Sequence, residues 1–164
     1  MKDFNKCVAL YREQLEKGEI QKAYEGLLKF LMNLKADMSK TYAHRYSFGN
    51  ISPGYMDYTY FAFFDDFLRE RKLRFGVVLN HQKIRFELWL MGQNSDVQQK
   101  YWDILKSTKW NEHQLSMPKY SVLEVILVDN PDFNDLKSLT LALESETIRH
   151  SEEISNWLKE HATD

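Results

Sequence analysis

The sequence predicts an α+β fold: an αβββαβ core with a mostly antiparallel, four-stranded sheet, flanked by an N-terminal helix and a long C-terminal helix. Three observations carry this expectation. The first 40 residues repeat apolar side chains at helical spacing in two consecutive stretches. The run LRFGVVLNHQKIRFELWL alternates on both sides of a polar turn, as a β-hairpin does. Helical and strand-like periods then alternate to the end of the chain. At 164 residues, with 43% hydrophobic and 14% aromatic residues, the chain has the length and apolar content of a single domain with its own core.

Each element follows from local chemistry. Asp3 is placed to cap a helix over 3–17, with Phe4, Val8, Tyr11 and Leu15 on one stripe and Gly18 as its left-handed stop. A second helix runs from Glu19 to Ser39, its stripe being Ile20, Ala23, Tyr24, Leu27, Leu28, Leu31, Leu34 and Met38. From Tyr42 to Gly54 the chain is aromatic and turn-rich, and Pro53-Gly54 marks a stop. The β-formers of YMDYTYFAFF predict a strand over 55–64, and DDFLRERK a helical turn or a loop. In the hairpin, Leu73, Phe75, Val77 and Leu79 share one face with Ile84, Phe86, Leu88 and Leu90. A turn at NHQK pairs 79 with 84 and 73 with 90, which sets Arg74 across from Trp89, Gly76 across from Glu87, and Val78 across from Arg85. Ser95 and Gln98 have capping-box spacing and open a helix to about Ser107. YSVLEVILVD is an apolar strand over 120–129, and the helix before it permits a parallel pairing. A last helix begins near Pro131 and reaches toward Lys159, with a polar middle, ESETIRHS, that favours a break near 145–151.

The stretches TYFAFF, LRFGVVLNHQKIRFELWLMGQN and VQQKYW resemble an uncharacterised bacterial domain-of-unknown-function family over most of the chain. The αβββαβ order over roughly residues 19–129 more loosely resembles the restriction-endonuclease-like, PD-(D/E)XK, fold. That second resemblance implies carboxylates holding a divalent metal and a Glu-x-Lys on the third strand. Here the strand reads Glu87-Leu88-Trp89, with Trp at the Lys position, while Asp65 and Asp66 stand upstream. The nuclease reading therefore implies metal or nucleic-acid binding without a complete catalytic set.

Composition narrows the remaining classes. A net charge of −2 argues against a nucleic-acid partner, and no apolar run approaches the ~18 residues of a membrane span. The single cysteine, Cys7, and the absence of a signal-like start in MKDFNKC point to the cytoplasm. Cys7 is expected to pack as a small apolar group. The five histidines are scattered without metal-ligand spacing, and no phosphate-binding or serine-hydrolase motif is present, so no cofactor, metal or catalytic residue is implied.

Candidate ligand contacts fall into two groups. Tyr42, His44, Arg45, Tyr46 and Asp57 lie in a phenol-rich loop that can line a small-molecule pocket or complete a core. Arg74, Arg85, Glu87 and Trp89 share the second face of the hairpin, where basic and aromatic groups can bind an anion or a flat ring. Glu124, set among apolar neighbours in VLEVILV, needs a partner, a proton or a pocket, and is placed with Glu87. The ordinary alternative is a solvated sheet face with Arg paired to Glu87. His81 is expected to be exposed in the hairpin turn. The leucines of the last helix exceed one narrow stripe, and the surplus can pack within the chain or against a second copy in a homodimer.

Overall fold

A computed structural model describes residues 3–162. Helix α1 (Phe4–Lys17) turns at Gly18, whose φ of 76° suits the left-handed stop, into α2 (Glu19–Thr41). Five strands follow: β1 (Ser47–Ser52), β2 (Tyr58–Phe64), β3 (Leu73–Asn80), β4 (Arg85–Gly92) and β5 (Leu123–Val128). The short α3 (Asp66–Glu70) links β2 to β3, α4 (Ser95–Leu105) precedes β5, and α5 (Leu136–His161) ends the fold.

The sheet is a fully antiparallel meander in the order β1-β2-β3-β4-β5. It has five strands rather than the expected four, and β5 pairs antiparallel with β4 rather than parallel to a neighbour. The added strand is β1, SFGNIS, whose Gly, Asn and Ser residues are poor strand formers. It lies at the sheet edge with an irregularity between Phe48 and Ile51, where tertiary pairing overrides propensity.

The hairpin forms with a shifted register. Its turn is 81–84, so Leu79 pairs with Phe86, Phe75 with Leu90 and Leu73 with Gly92. Ile84 takes a left-handed φ of 46° and is exposed instead of joining the strand. A shift of two residues leaves the faces unchanged. Partners do change: Arg74 faces Met91, Gly76 faces Trp89, Val78 faces Glu87 and Asn80 faces Arg85.

One face carries the main core. Phe61, Phe63, Phe75, Val77, Leu79, Phe86, Leu88 and Leu90 are fully buried there against Leu31, Leu34 and Met38 of α2 and Leu143, Ile154 and Leu158 of α5. At about 1.5–3 kcal/mol for each large apolar side chain buried, this layer dominates the stability. α5 runs unbroken through ESETIRHS because Thr147 and Ser151 continue its buried stripe. Its cap is Asp135, which accepts from the Ser138 amide at 3.1 Å. α4 is capped by Asn94, one residue before the expected Ser95, while Gln98 Oε1 accepts from the Gly92 amide. α1 packs on α2 with none of its residues buried, and Cys7 is exposed rather than packed.

Candidate functional site

The other sheet face holds a second, smaller cluster: Val78, Trp89 and Met91 are buried, with Tyr58 and Tyr60 packed against them. Among the described residues, no apolar side chain of a helix joins this cluster. Its covering comes from the strands' own aromatic residues and from the loops at either end, so this face is where a ligand can reach the sheet.

Glu87 organises it. The side chain is 1% exposed, and three donors converge on it. Arg85 Nε donates to Oε1 at 2.7 Å, Asn80 Nδ2 donates to the same oxygen at 3.2 Å, and Trp89 Nε1 donates to Oε2 at 2.8 Å. A buried carboxylate survives when it is paired and hydrogen-bonded in this way. Its consequence for the face is positional, since Trp89 is held by its indole N–H while its ring meets Tyr58 edge-on at 4.8 Å. Glu124 sits in register with Trp89 on the same face. Burial pushes its carboxyl pKa up, the Glu87 charge adds to this, and the Ser121 hydroxyl, donating at 2.8 Å, opposes it.

Beside Trp89 a cleft of about 280 Å³ opens, walled by Tyr58, Tyr60, Trp89, Met91 and Tyr120 and bordered by Gly54 and Asp57. Gly76 lets the Met91 wall pack close to the sheet: a Cβ there would meet Met91 Cε at 2.7 Å and Tyr60 Cδ2 at 3.6 Å. Arg74 is the cleft's one cation. It is exposed, it forms no ion pair with any described residue, and it also lines an adjoining depression with Arg69 and Lys72. Arg69 is committed to Asp66 at 2.6 Å. The arrangement presents a flat apolar slot ending at an unpaired guanidinium.

The rim is built by the β1–β2 turn. Asp57 accepts from the amides of Tyr55 at 2.8 Å and Tyr58 at 2.7 Å, and these bonds pull its pKa down. Gly54 has φ 68°, which a side chain rarely adopts. His81 is half-buried against this turn rather than exposed. Thr59 Oγ1 donates to the Pro53 carbonyl at 2.7 Å and accepts from His81 Nε2 at 2.7 Å. With the hydroxyl proton committed to Pro53, the network assigns the imidazole proton to Nε2. Burial lowers the His81 pKa, and the Asp57 charge opposes that.

The structure thus divides the ten candidate residues. Arg74, Arg85, Glu87, Trp89 and Glu124 share the open face, with Asp57 at its edge. Tyr42, His44, Arg45 and Tyr46 lie elsewhere, at the end of α2. Tyr46 is buried in the main core, edge-on to Phe63 at 5.1 Å, and burial raises its pKa. Tyr42 packs on the same core, Arg45 pairs with Glu152 of α5, and His44 is exposed. Tyr120 and Met91 line the cleft on the open face and are not among the ten. Met91 follows Trp89 by two residues and could have been placed there by alternation alone.

Among the described residues, no group of three or more His, Cys, Asp and Glu side chains could hold a metal ion. No helix among them is long and apolar enough to cross a membrane. No curated protein and no solved structure matches the chain. A family described as "Domain of unknown function (DUF7000)" matches residues 4–158, nearly the whole length, and the chain belongs to that family.

Proposed function

We propose that the chain is a single ligand-binding domain that takes a small aromatic anion on the open sheet face, its ring against the wall of Tyr58, Tyr60, Trp89 and Tyr120 and its charge on Arg74. The observation that carries this reading is the unpaired Arg74 at the end of an aromatic cleft whose tryptophan is fixed by a buried carboxylate. A volume of about 280 Å³ lies at the lower limit of the roughly 300–1,000 Å³ usual for small-molecule sites, which favours one ring system over a dinucleotide. Glu87 and Glu124 lie on the same sheet face and Asp57 at its rim, and their carboxylates disfavour a polyanionic strand as partner.

The nuclease-like alternative has less support, because Glu87 spends its oxygens on Arg85, Asn80 and Trp89 and the Lys position is Trp89. For self-association, both terminal helices offer apolar surface: Phe4, Val8 and Tyr11 of α1 and Leu136 and Leu141 of α5 are exposed, whereas Leu139 and Leu143 are buried. An unpaired Cys7 suits a reducing, cytoplasmic setting.

Isothermal titration with 1-naphthyl phosphate tests the reading. Wild type is expected to bind one equivalent, Arg74→Gln to bind roughly five- to tenfold more weakly, and neutral 1-naphthol to show little dependence on Arg74. Absence of saturable binding by wild type, or equal affinities for wild type and Arg74→Gln, would overturn it.

A further inference from the structure

A second cavity lies on the opposite side of the molecule from the aromatic cleft. It is a groove of about 420 Å³ between α2, the hairpin turn and the start of α5. Its floor is aromatic: Phe30 meets Phe133 at 6.3 Å and Phe86 at 5.7 Å, both edge-on. Ile84 and Leu136, 42% and 47% exposed, stand at its sides. Lys22 is the one charged residue lining it, and it forms no ion pair with any described residue.

Two departures from local preference converge on this groove. Gly26 sits in the middle of the 23-residue α2, where glycine is the poorest residue after proline. No packing demands it, because a Cβ built there would meet nothing within 4 Å. Its absence of a side chain keeps the groove open. Ile84, a β-branched residue, holds a left-handed φ of 46°, a conformation such residues strongly disfavour. The turn thereby directs an apolar side chain to the groove rather than back into the strand. Strain and an open helix position on the same cavity are the kind of local cost that persists where a surface is used.

We propose that this groove is a binding site for an aliphatic chain with an anionic head, a medium-chain carboxylate in chemical class. The chain lies along Ala23, Gly26, Leu27 and Phe133, and the carboxylate meets Lys22. The lining fits that occupant specifically: apolar walls accept methylene groups, and a lone unpaired ammonium at one end selects an anion over a cation or a neutral alkane. The site is independent of the open sheet face, and Arg74 takes no part in it.

Dodecanoate, kept below its micelle-forming concentration, is the probe, read by isothermal titration and by melting temperature. Wild type is expected to bind one equivalent saturably. Gly26→Leu fills the groove while improving helix propensity, so its unliganded melting temperature should not fall. Its affinity for dodecanoate should drop by at least about tenfold. Lys22→Gln should weaken dodecanoate by about two- to fivefold and leave dodecan-1-ol unaffected. Arg74→Gln should bind dodecanoate as wild type does. The proposal is overturned if wild type shows no saturable binding, or if Gly26→Leu, folded and equally stable, binds as tightly as wild type. It is equally overturned if Arg74→Gln rather than Gly26→Leu abolishes binding, which would move the chain to the aromatic cleft.

Discussion

Replacing Glu87 by glutamine keeps the shape of the side chain and removes the charge that organises the open face. The remaining carbonyl oxygen can serve Arg85 Nε and Asn80 Nδ2, which share Oε1. The new amide nitrogen then points at Trp89 Nε1, and two donors face each other where a 2.8 Å hydrogen bond stood. An unsatisfied buried indole N–H costs about 1–3 kcal/mol. Loss of a buried pairing charge costs about 3–5 kcal/mol when the partner stays buried. Arg85 is 21% exposed and can recover some hydration, so the lower part of that range applies. The two losses overlap, and a destabilisation of about 3 kcal/mol is expected. For a chain of this length that corresponds to a melting-temperature fall of roughly 6–12 °C. Urea unfolding followed by tryptophan fluorescence gives the value directly, provided the m-value is unchanged. A change below about 0.5 kcal/mol, typical of neutral surface sites, would refute the claim that Glu87 holds the face together.

Other expectations follow from the same contacts. Glu124 has its pKa raised by burial, so the folded state disfavours its ionised form. Stability should fall as pH rises through the window from its ordinary value of 4.5 upward, and Glu124→Gln should stabilise the protein at pH 7 but not at pH 4, as chemical denaturation at both pH values will show. His81 has its pKa lowered by burial, so its contribution is present above about 6.5 and lost as pH falls below that value; His81→Gln should flatten this part of the stability profile. Gly54→Ala forces a side chain into φ 68° against the Tyr58 carbonyl, and should cost roughly 2 kcal/mol or more in thermal unfolding. Leu143→Ala, at a fully buried position on α5, should cost about 2–5 kcal/mol by the same assay.

The helices and the hairpin are legible in the sequence because their apolar periods are long and consistent. Strand β1 is not, since SFGNIS sets only Phe48 and Ile51 among poor strand formers and exists by pairing with β2 along an irregular edge. The hairpin register differs by two residues from the one its alternation predicts, for a related reason. Ile84 looks like the first core residue of a strand, but it closes the turn in a left-handed conformation that isoleucine seldom adopts. Alternation survives an even shift, so Arg74, Glu87 and Trp89 still fall on one face, and Glu124 joins them through the β4–β5 pairing. The grouping of Tyr42, His44, Arg45 and Tyr46 with Asp57 fails because closeness in sequence is not closeness in space. β1 carries the chain across the sheet between them, and Tyr46 enters the helix-covered core while Asp57 caps a turn at the rim of the open face.

The central claim is that the open sheet face, at Arg74 and Trp89, is where this domain meets its ligand. An amide-proton NMR titration of the full chain with 1-naphthyl phosphate tests it most directly. The account predicts saturable shifts of the Trp89 indole N–H, the Gly54 and Gly92 amides and the backbone around Tyr120, all diminished in Arg74→Gln. Shifts confined to the groove at Gly26 and Ile84, or scattered over exposed lysines with the Trp89 indole unmoved, would contradict it.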